Sequence, residues 1–327
     1  MKYALCITSL LLAIAPAYGQ LADKAGISGE VSVNIGALSS ESSFNTDTDE
    51  TITDNTQSPS SDSRALGVPL GNIAYTFGDQ LDKQVFFGTS REDIAVGTLA
   101  LELGYKQKLA NETVISASVL PTVLSKETWT DPFLEGAARQ TTDEAGLAYR
   151  LQFSNIAGSK FSLETGVGSS EVDDENSGFA AGLTTSEQEL LERDSTTYYL
   201  RGSYMLPLSR TSFLQPSIRY FGVDADGHSN SSQSIRAELS YFYVMGQHNL
   251  ALTAALRSRS FDEENPIYGK KRDDDAVNLF AAYEYEDFMG WKDWAFLSFV
   301  SFDNSDSDVD FYDTKSTIVA LGLGYKF

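Results

Sequence analysis

Apolar and polar residues alternate along most of the chain after residue 27, in short segments separated by polar breaks. The final segment, IVALGLGYKF (318–327), shows the alternation clearly, with small or charged residues between larger apolar ones. A period of two residues is that of a β-strand with one apolar face. The pattern predicts fourteen strands, at residues 27–38, 65–78, 83–91, 97–108, 112–124, 143–155, 160–171, 194–207, 212–223, 231–245, 248–260, 274–287, 293–303 and 314–327.

The breaks between the predicted strands alternate between short and long. Breaks such as 78–83 and 245–247 are short and contain turn residues, whereas 39–64 and 172–193 are long, mostly acidic and rich in hydroxyl groups. Short turns at one end and long loops at the other are typical of outer-membrane barrels. We therefore predict one domain, residues 20–327, that forms an all-β, transmembrane, antiparallel up-and-down β-barrel of about fourteen strands. Twelve or sixteen strands would also fit the pattern.

Most predicted strands have one face suited to lipid and one suited to the barrel interior. The strand at 231–245 places Ile235 on its apolar face and Arg236 and Glu238 on the other. A register slip of one residue would turn the arginine towards lipid, at a cost of about 2–4 kcal/mol near the bilayer midplane. The strand at 293–303 is apolar on both faces, so the sequence leaves its orientation open.

Aromatic residues recur on the apolar faces, close to the short turns, on seven strands that run towards those turns. Aromatic side chains concentrate at membrane interfaces, and outer-membrane barrels carry them as girdles. A soluble β-sandwich has no reason to place aromatic residues at one level on so many strands. The predicted girdle comprises Tyr75, Phe77, Tyr105, Phe153, Tyr204, Tyr241, Tyr243, Tyr283, Tyr285, Tyr325 and Phe327.

The first nineteen residues predict a secretory signal peptide. Lys2 precedes an apolar run at 4–15, and AYG at 17–19 fits a cleavage site with small residues at its first and third positions. The chain's one cysteine, Cys6, lies inside this run, so disulfide bonds are not expected to stabilise the exported chain. These features predict export through the periplasm to the outer membrane.

Charge and hydropathy narrow the function classes further. The chain has 46 acidic and 24 basic residues, which gives a formal net charge of −22. Such a balance does not suit nucleic-acid binding, and the acidic loops should repel anionic surfaces unless divalent cations bridge them. No run of eighteen apolar residues follows the signal peptide, which argues against an α-helical membrane protein.

The last strand has a further feature. It ends in phenylalanine, with an aromatic residue two positions earlier and apolar residues at further alternate positions. This arrangement resembles the C-terminal signal by which the outer-membrane assembly machinery recognises barrel proteins. The matching positions are Phe327, Tyr325, Leu323, Leu321 and Val319.

Three segments carry a resemblance to a known family. They are VFFGTSREDIAVGTLALELGYK (85–106), NPIYGKKR (265–272) and YEYEDFMGWKDWAF (283–296). Over its whole exported length the chain resembles an uncharacterised family of Gram-negative outer-membrane barrels, known as a domain of unknown function. The resemblance implies an exported barrel, and it supplies no reaction, ligand, cofactor or site residue.

The interior faces of the predicted strands carry an uneven set of charges. Five arginines are expected to point inward from strand six and strands eight to eleven, so that bases line one wall of the lumen. The inward acids are expected elsewhere, except for Glu238, which lies on the basic wall itself. The arginines are Arg150, Arg201, Arg219, Arg236 and Arg257, and the acids are Glu102, Glu164, Glu238 and Glu284.

This charge pattern favours a porin-like channel for passive diffusion of small hydrophilic solutes, because charged pore walls orient and select polar solutes. The alternative is that the charges pair across the lumen and close it. The protein would then be a non-conducting surface barrel whose acidic outer loops bind a partner, or lipopolysaccharide through divalent cations. Outer-membrane lipid and lipopolysaccharide are the expected surroundings in both cases, and no cofactor is expected.

Two long loops are long enough to fold towards the barrel mouth. The loop at 125–142 contains Trp129, Phe133 and neighbouring apolar residues that are unusual for a solvated loop. These residues either constrict the mouth or pack against neighbouring loops. The loop at 172–193 has a helix-like segment at 183–193.

Candidate residues for catalysis and metal binding are few. His228 follows two aspartates in an outer loop, and His248 lies beside a short turn. A lipase would need a histidine as general base beside a nucleophile that faces lipid, and neither histidine lies on an apolar face. No enzyme is therefore predicted. The acidic segment FDNSDSDVDFYD (302–313) lacks the glycine and the final glutamate of a calcium-binding loop, so no metal site is predicted.

Overall fold

The described residues form one closed antiparallel β-barrel. The computed structural model describes residues 21–47, 50–89, 101–121 and 126–327. Each strand pairs with the strands before and after it in the chain, and the last strand pairs with the first, from Glu30 with Lys326 to Glu41 with Lys315. This ring of pairings leaves no open sheet edge. The prediction of a fourteen-stranded transmembrane barrel is confirmed.

Two of the strands are described in two segments each. Lys126–Trp129 continues the fifth strand because both segments pair with the sixth, and Leu206–Pro207 continues the eighth because both pair with the ninth. The strands are β1 (Gly26–Glu41), β2 (Ser61–Phe77), β3 (Lys83–Thr89), β4 (Leu101–Lys108), β5 (Val114–Pro121 and Lys126–Trp129), β6 (Thr141–Ser154), β7 (Phe161–Val172), β8 (Ser195–Tyr204 and Leu206–Pro207), β9 (Ser212–Ala225), β10 (Ser232–Met245), β11 (His248–Asn265), β12 (Lys270–Glu286), β13 (Trp294–Ser307) and β14 (Thr314–Lys326).

Four predictions fall wholly or partly on residues that the structure does not describe. These are the signal peptide at residues 1–19, the end of the third strand at 90–91, the start of the fourth strand at 97–100 and the end of the fifth strand at 122–124.

Several strands extend further at their long-loop ends than the sequence predicts. The predicted loop at 261–273 is mostly strand, because β11 continues to Asn265 and β12 begins at Lys270. Beyond an irregularity after Ser260, the pairing resumes with Glu264 opposite Lys271. The sequence pattern ends where charged side chains begin, at the edge of the lipid-facing band. The hydrogen bonds between strands are formed by the backbone and do not depend on side-chain polarity, so the strands continue beyond that edge.

Exposure alternates along the strands as a lipid-facing belt requires. On β1, Val33 and Ile35 are each 69% exposed, whereas Asn34 between them is 1% exposed. A continuous exposed apolar surface is a liability in water and a requirement in a bilayer. The C-terminal residues named above share this outward face, and Phe327 also exchanges backbone hydrogen bonds with Gly29 at 2.9 Å.

The predicted aromatic girdle includes residues that are exposed close to the short turns. Tyr75 stacks on Phe77 with ring centroids 6.0 Å apart, and Tyr325 lies 5.3 Å from the ring of Trp294. The short turn between β12 and β13 adds Trp291, which is exposed. Interfacial tryptophan and tyrosine side chains anchor a barrel at the headgroup level.

The structure resolves the orientation of β13. Leu297 and Phe299 point inward, opposite Gly322 and Ala320 of β14, while Trp294 and other residues of the same parity face outward. Small residues on β14 make room for these inward side chains. A Cβ atom at Gly322 would lie 2.8 Å from the backbone oxygen of Val33 and 2.0 Å from the Oδ1 atom of Asn34, so a larger residue there would require β1 to shift.

Helix is a minor part of the described chain. One short helix, α1 (Thr185–Glu189), lies in the loop between β7 and β8, and Thr184 and Glu187 form a capping box at its start. It is shorter than the predicted segment at 183–193. Among the residues described here, no helix has the length and apolarity needed to cross a bilayer.

The lipid-facing belt generates a test. Leu321→Arg, near the middle of β14, is expected to lower the free energy of unfolding by about 2–4 kcal/mol, because it places a charge in lipid. Ile27→Arg, at the start of β1, is the control and should cost about 0–1 kcal/mol, because it lies near the interface. Urea unfolding in phospholipid bilayers, followed by tryptophan fluorescence, measures both. Equal costs at the two positions would contradict the belt.

Candidate functional site

Four arginines lie in register on four neighbouring strands. Arg201 of β8 pairs with Arg219 of β9, which pairs with Arg236 of β10, which pairs with Arg257 of β11. Directly paired residues point to the same side of a sheet, so the four guanidinium groups share the interior face. Their chain neighbours on the outer face are exposed apolar residues, namely Leu200, Ile218, Ile235 and Leu256.

Glu238 of β10 lies at the centre of this arginine group. Its carboxylate is 3.1 Å from the Nη2 atom of Arg201, 3.6 Å from that of Arg219 and 3.4 Å from that of Arg236. The Ser217 hydroxyl also donates to it at 3.2 Å. Because the side chain is only 1% exposed, its charge is balanced by these arginines and not by solvent.

The alternation of acids and bases continues towards β4. Glu164 lies 3.9 Å from Arg201 and 3.6 Å from Arg150, and Arg150 in turn contacts Glu102 at 2.5 Å. Sequence analysis predicted Glu102 and Glu164 away from the basic wall. Glu164 instead lies within it, because its strand β7 lies between the arginine strands β6 and β8, and Glu102 of β4 joins it by its contact with Arg150. We name this set the interior charge row. Its members are Glu102, Arg150, Glu164, Arg201, Glu238, Arg219, Arg236 and Arg257.

Glu284 does not join the interior charge row. It lies on β12, where Lys326 of β14 approaches it at 3.0 Å and the Asn249 side-chain amide donates to it at 3.3 Å. Lys326 also pairs with Glu286. This separate ion pair is near the short-turn end, beside the closure of β14 on β1.

The wall opposite the arginines is apolar. β2 is seven strands away from β9 in either direction around the barrel, so it lies across the interior. Its inward side chains at Leu66, Val68 and Leu70 are half-buried, while the intervening residues are small or proline. The sequence analysis did not identify this wall. On most strands the larger apolar residues face lipid and the small residues face inward, whereas on this part of β2 the small residues and the proline face outward, and that difference could have indicated it. Further apolar inward residues are Leu38, Leu297, Phe299 and Ile318.

The outer loops meet in a hydrophobic cluster, which we name the mouth cluster. Phe133 and Phe311 lie at its centre, with ring centroids 5.2 Å apart. The sequence left open whether Phe133 constricts the mouth or packs against other loops, and it packs against residues from four other loops. The members are Phe133, Leu191, Val309 and Phe311, surrounded by Phe44, Ile52, Leu183, Ile267, Tyr268 and Tyr312.

Trp129, which the sequence grouped with Phe133, lies beneath the loops at the end of β5. It is 1% exposed, and its indole nitrogen donates to the Ser43 carbonyl at 3.0 Å. The Arg139 guanidinium stacks on its ring at 4.2 Å and also donates to the Ser43 carbonyl. These contacts tie the β5–β6 loop to the β1–β2 loop.

The mouth cluster rests on the interior face of the barrel. The Arg272 guanidinium lies between the rings of Phe261 and Tyr312, at 3.6 and 3.7 Å. Phe261 and Arg272 belong to the inward faces of β11 and β12, because they share parity with Arg257 and Asp274. The mouth cluster is therefore in contact with inward-facing side chains of the barrel wall.

Two tyrosine hydroxyls of the mouth cluster are held in their neutral form. Burial raises the pKa of Tyr312 to about 12, and burial also raises the pKa of Tyr268. The Asn265 amide donates to the Tyr312 hydroxyl at 2.8 Å, and the Tyr268 hydroxyl donates to the Asn55 carbonyl at 2.9 Å. Both groups therefore act as uncharged hydrogen-bonding partners throughout the physiological pH range.

The two histidines lie outside the interior charge row and the mouth cluster, whereas the acidic segment supplies Val309, Phe311 and Tyr312 to the mouth cluster. His228 is exposed in an outer loop, and the Nδ1 atom of His248 is 2.7 Å from the Tyr283 hydroxyl. In the acidic segment, Asp308 pairs with Lys270 at 3.7 Å, and Asp313 accepts from the Ser307 amide. Within the described ranges, no three histidine, cysteine or acidic side chains converge as metal ligands.

Comparisons with solved structures return outer-membrane proteins. OmpTdeltaL8, a loop L8 deletion mutant of OmpT from Vibrio cholerae, is 11% identical with a TM-score of 0.44, covering 93% of this chain and 100% of that one. The outer membrane channel DcaP of Acinetobacter baumannii is 11% identical with a TM-score of 0.46, covering 95% and 100%. A Pseudomonas aeruginosa FadL homologue is 10% identical with a TM-score of 0.44, covering 92% and 90%.

Family membership has firmer support than these likenesses. Since all three TM-scores are below 0.5, the barrel is established by its own strand pairing and not by structural similarity. No curated protein matches the chain. A family model matches residues 26–326, which is nearly the whole barrel, and the chain therefore belongs to the family described as protein of unknown function (DUF2860).

Proposed function

We propose that this protein is an outer-membrane channel for the passive diffusion of small hydrophilic solutes. The observation that carries the proposal is the interior charge row, which places five arginines and three glutamates on the inner wall of a lipid-facing barrel. Charged side chains within a membrane are costly and are usually placed along solute pathways. A wall with more bases than acids favours polar solutes and disfavours cations.

Small side chains beside the row support a pathway. Ser203, Ser217 and Ala255 lie on the inward faces of β8, β9 and β11, next to the arginines. In a barrel of fourteen strands, side chains of this size do not reach across the interior. The proposal therefore places the solute path between the charged wall and the apolar wall of β2.

The mouth cluster favours a second candidate function. Loops that meet over the opening and rest on Arg272 would close the barrel from outside. The protein would then be a non-conducting surface barrel, whose acidic loops bind a partner or lipopolysaccharide through divalent cations. The two candidates differ in one measurable property, which is the current through the folded barrel.

The proposal includes a route of assembly. The outward, exposed residues of β14 from Val319 to Phe327 remain the candidates for recognition by the outer-membrane assembly machinery. Residues 1–19 remain the candidate export signal.

The first prediction concerns conductance. The refolded chain in a planar bilayer should give steady single-channel currents that prefer anions in a salt gradient. Replacing Arg201, Arg219 and Arg236 by serine should reduce or reverse this preference, because Glu238 loses its counter-charges. Arg210→Ser, in an exposed short turn, is the control and should leave selectivity unchanged. A folded barrel that passes no current, even without its mouth cluster, would exclude the channel.

The second prediction concerns the mouth cluster. A double variant, Phe133→Ser with Phe311→Ser, removes the two central rings and should increase the conductance or the open time, because the loops lose their shared apolar contact. Phe179→Ser is the matched control, because Phe179 is 72% exposed in an outer loop. Currents that do not differ between the double variant and the control would show that the cluster does not limit flow.

The third prediction concerns the acid at the centre of the row. Glu238→Gln should lower the free energy of unfolding by about 3–5 kcal/mol, because it leaves buried arginines without their counter-charge. Glu171→Gln, an exposed site on β7, should have an effect within about 0.5 kcal/mol. Urea unfolding in detergent micelles measures both. If Glu238→Gln lowers the free energy of unfolding no more than Glu171→Gln does, the ion pairing of Glu238 with the arginines is contradicted.

A further inference from the structure

The Arg257 end of the interior charge row carries more positive charge than its neighbours compensate. Glu238 is closest to Arg201, at 3.1 Å, and it is the carboxylate paired with Arg219 and Arg236. Arg257 forms no ion pair with the residues that the structure describes, and its Nη2 atom donates to the Ser305 hydroxyl at 3.3 Å. Asp303 and Asp274 lie on neighbouring inward rows of residues and form no ion pair with Arg257, and Asp274 pairs instead with Arg259 and Arg272. The three arginines from Arg219 to Arg257 therefore share one directly paired carboxylate, that of Glu238.

The same three arginines have hydrogen-bond donors to spare. The Nε atoms of Arg219, Arg236 and Arg257 are buried and donate to no acceptor within the described part of the chain. Arg219 itself is only 8% exposed. Buried charged donors are normally satisfied, and those that are not call for a specific explanation. Three such donors on three adjacent strands, at one level of the sheet, fit the binding of an acceptor.

The spacing of the strands suits a single shared acceptor. Neighbouring strands lie about 4.8 Å apart, so two adjacent guanidinium groups of the row can contact one small anion. Arginine presents its N–H groups in a planar fork that matches the oxygen pairs of carboxylate and phosphate. Glu238, whose shortest contact is with Arg201, leaves the Arg257 end free of a directly paired acid.

We propose that Arg219, Arg236 and Arg257 form a binding centre for a small oxyanion, either a carboxylate or a phosphate. This inference rests on the proposed function and names the solute class of the channel as small organic or inorganic oxyanions. The anion contacts two adjacent guanidinium groups of this centre at a time and offsets part of the positive charge of the three arginines.

Binding is tested on the refolded full chain in detergent micelles. Isothermal titration calorimetry with sodium acetate and, separately, with sodium phosphate, at constant ionic strength, should detect saturable binding of at least one of them. The double variant Arg236→Gln with Arg257→Gln should weaken that binding at least about tenfold, because it removes two charged donors. Arg210→Gln is the matched control, an exposed arginine in a short turn that should bind as the unmodified chain does.

The outcomes separate this centre from the channel itself. Binding of acetate alone assigns the centre to carboxylates, and binding of phosphate alone assigns it to phosphates. No saturable binding of either anion, or equal weakening in the double variant and in Arg210→Gln, overturns the centre even if the barrel conducts. If the anion binds in a manner that depends on Arg236 and Arg257 but the barrel passes no current, the binding centre is supported and the channel function is excluded. Circular dichroism of each variant establishes that the loss is not one of folding.

Discussion

The structure depends first on the pairing of β14 with β1. In lipid, every backbone amide and carbonyl must find its partner within the protein, and a sheet meets this demand only when it closes on itself. The backbone pairing of β14 with β1, which runs from Lys326 opposite Glu30 to Lys315 opposite Glu41, completes that closure. The outward apolar belt then becomes a lipid surface, and the opposite face becomes an interior.

Closure also determines which charges meet. Once the ring of strands is complete, each strand has two fixed neighbours and one register, and a slip would carry an arginine into lipid. This constraint aligns Arg201, Arg219, Arg236 and Arg257 along one level. It also places Glu164 between Arg150 and Arg201, which turns a basic wall into an alternating row. The apolar wall on β2 follows from the same ring, because it lies seven strands from β9.

The mouth cluster shows where the outer loops meet once the barrel is closed. Outer loops that are acidic and hydroxyl-rich overall still contribute a few aromatic residues that gather in one cluster, in contact with Arg272. The charged interior is the basis of the proposed channel, and the loop cluster is the basis of the alternative, a closed barrel. The two features are compatible in a channel whose loops restrict entry, and the current through the folded barrel distinguishes that arrangement from a closed surface protein.

The sequence alone was sufficient for the fold and for most orientations, and only the folded chain revealed the site. Alternation, turn lengths and aromatic positions predicted fourteen strands and their outward faces, because these depend on residues next to one another along the chain. Inward arginines could be counted in the same way, but the contact of Arg150 with Glu102 joins residues far apart in sequence. The orientation of β13 and the association of Phe133 with Phe311 likewise required the tertiary structure. The physical reason is that a period of two residues decides which side of a sheet a side chain occupies, whereas its level and its neighbours depend on register and closure.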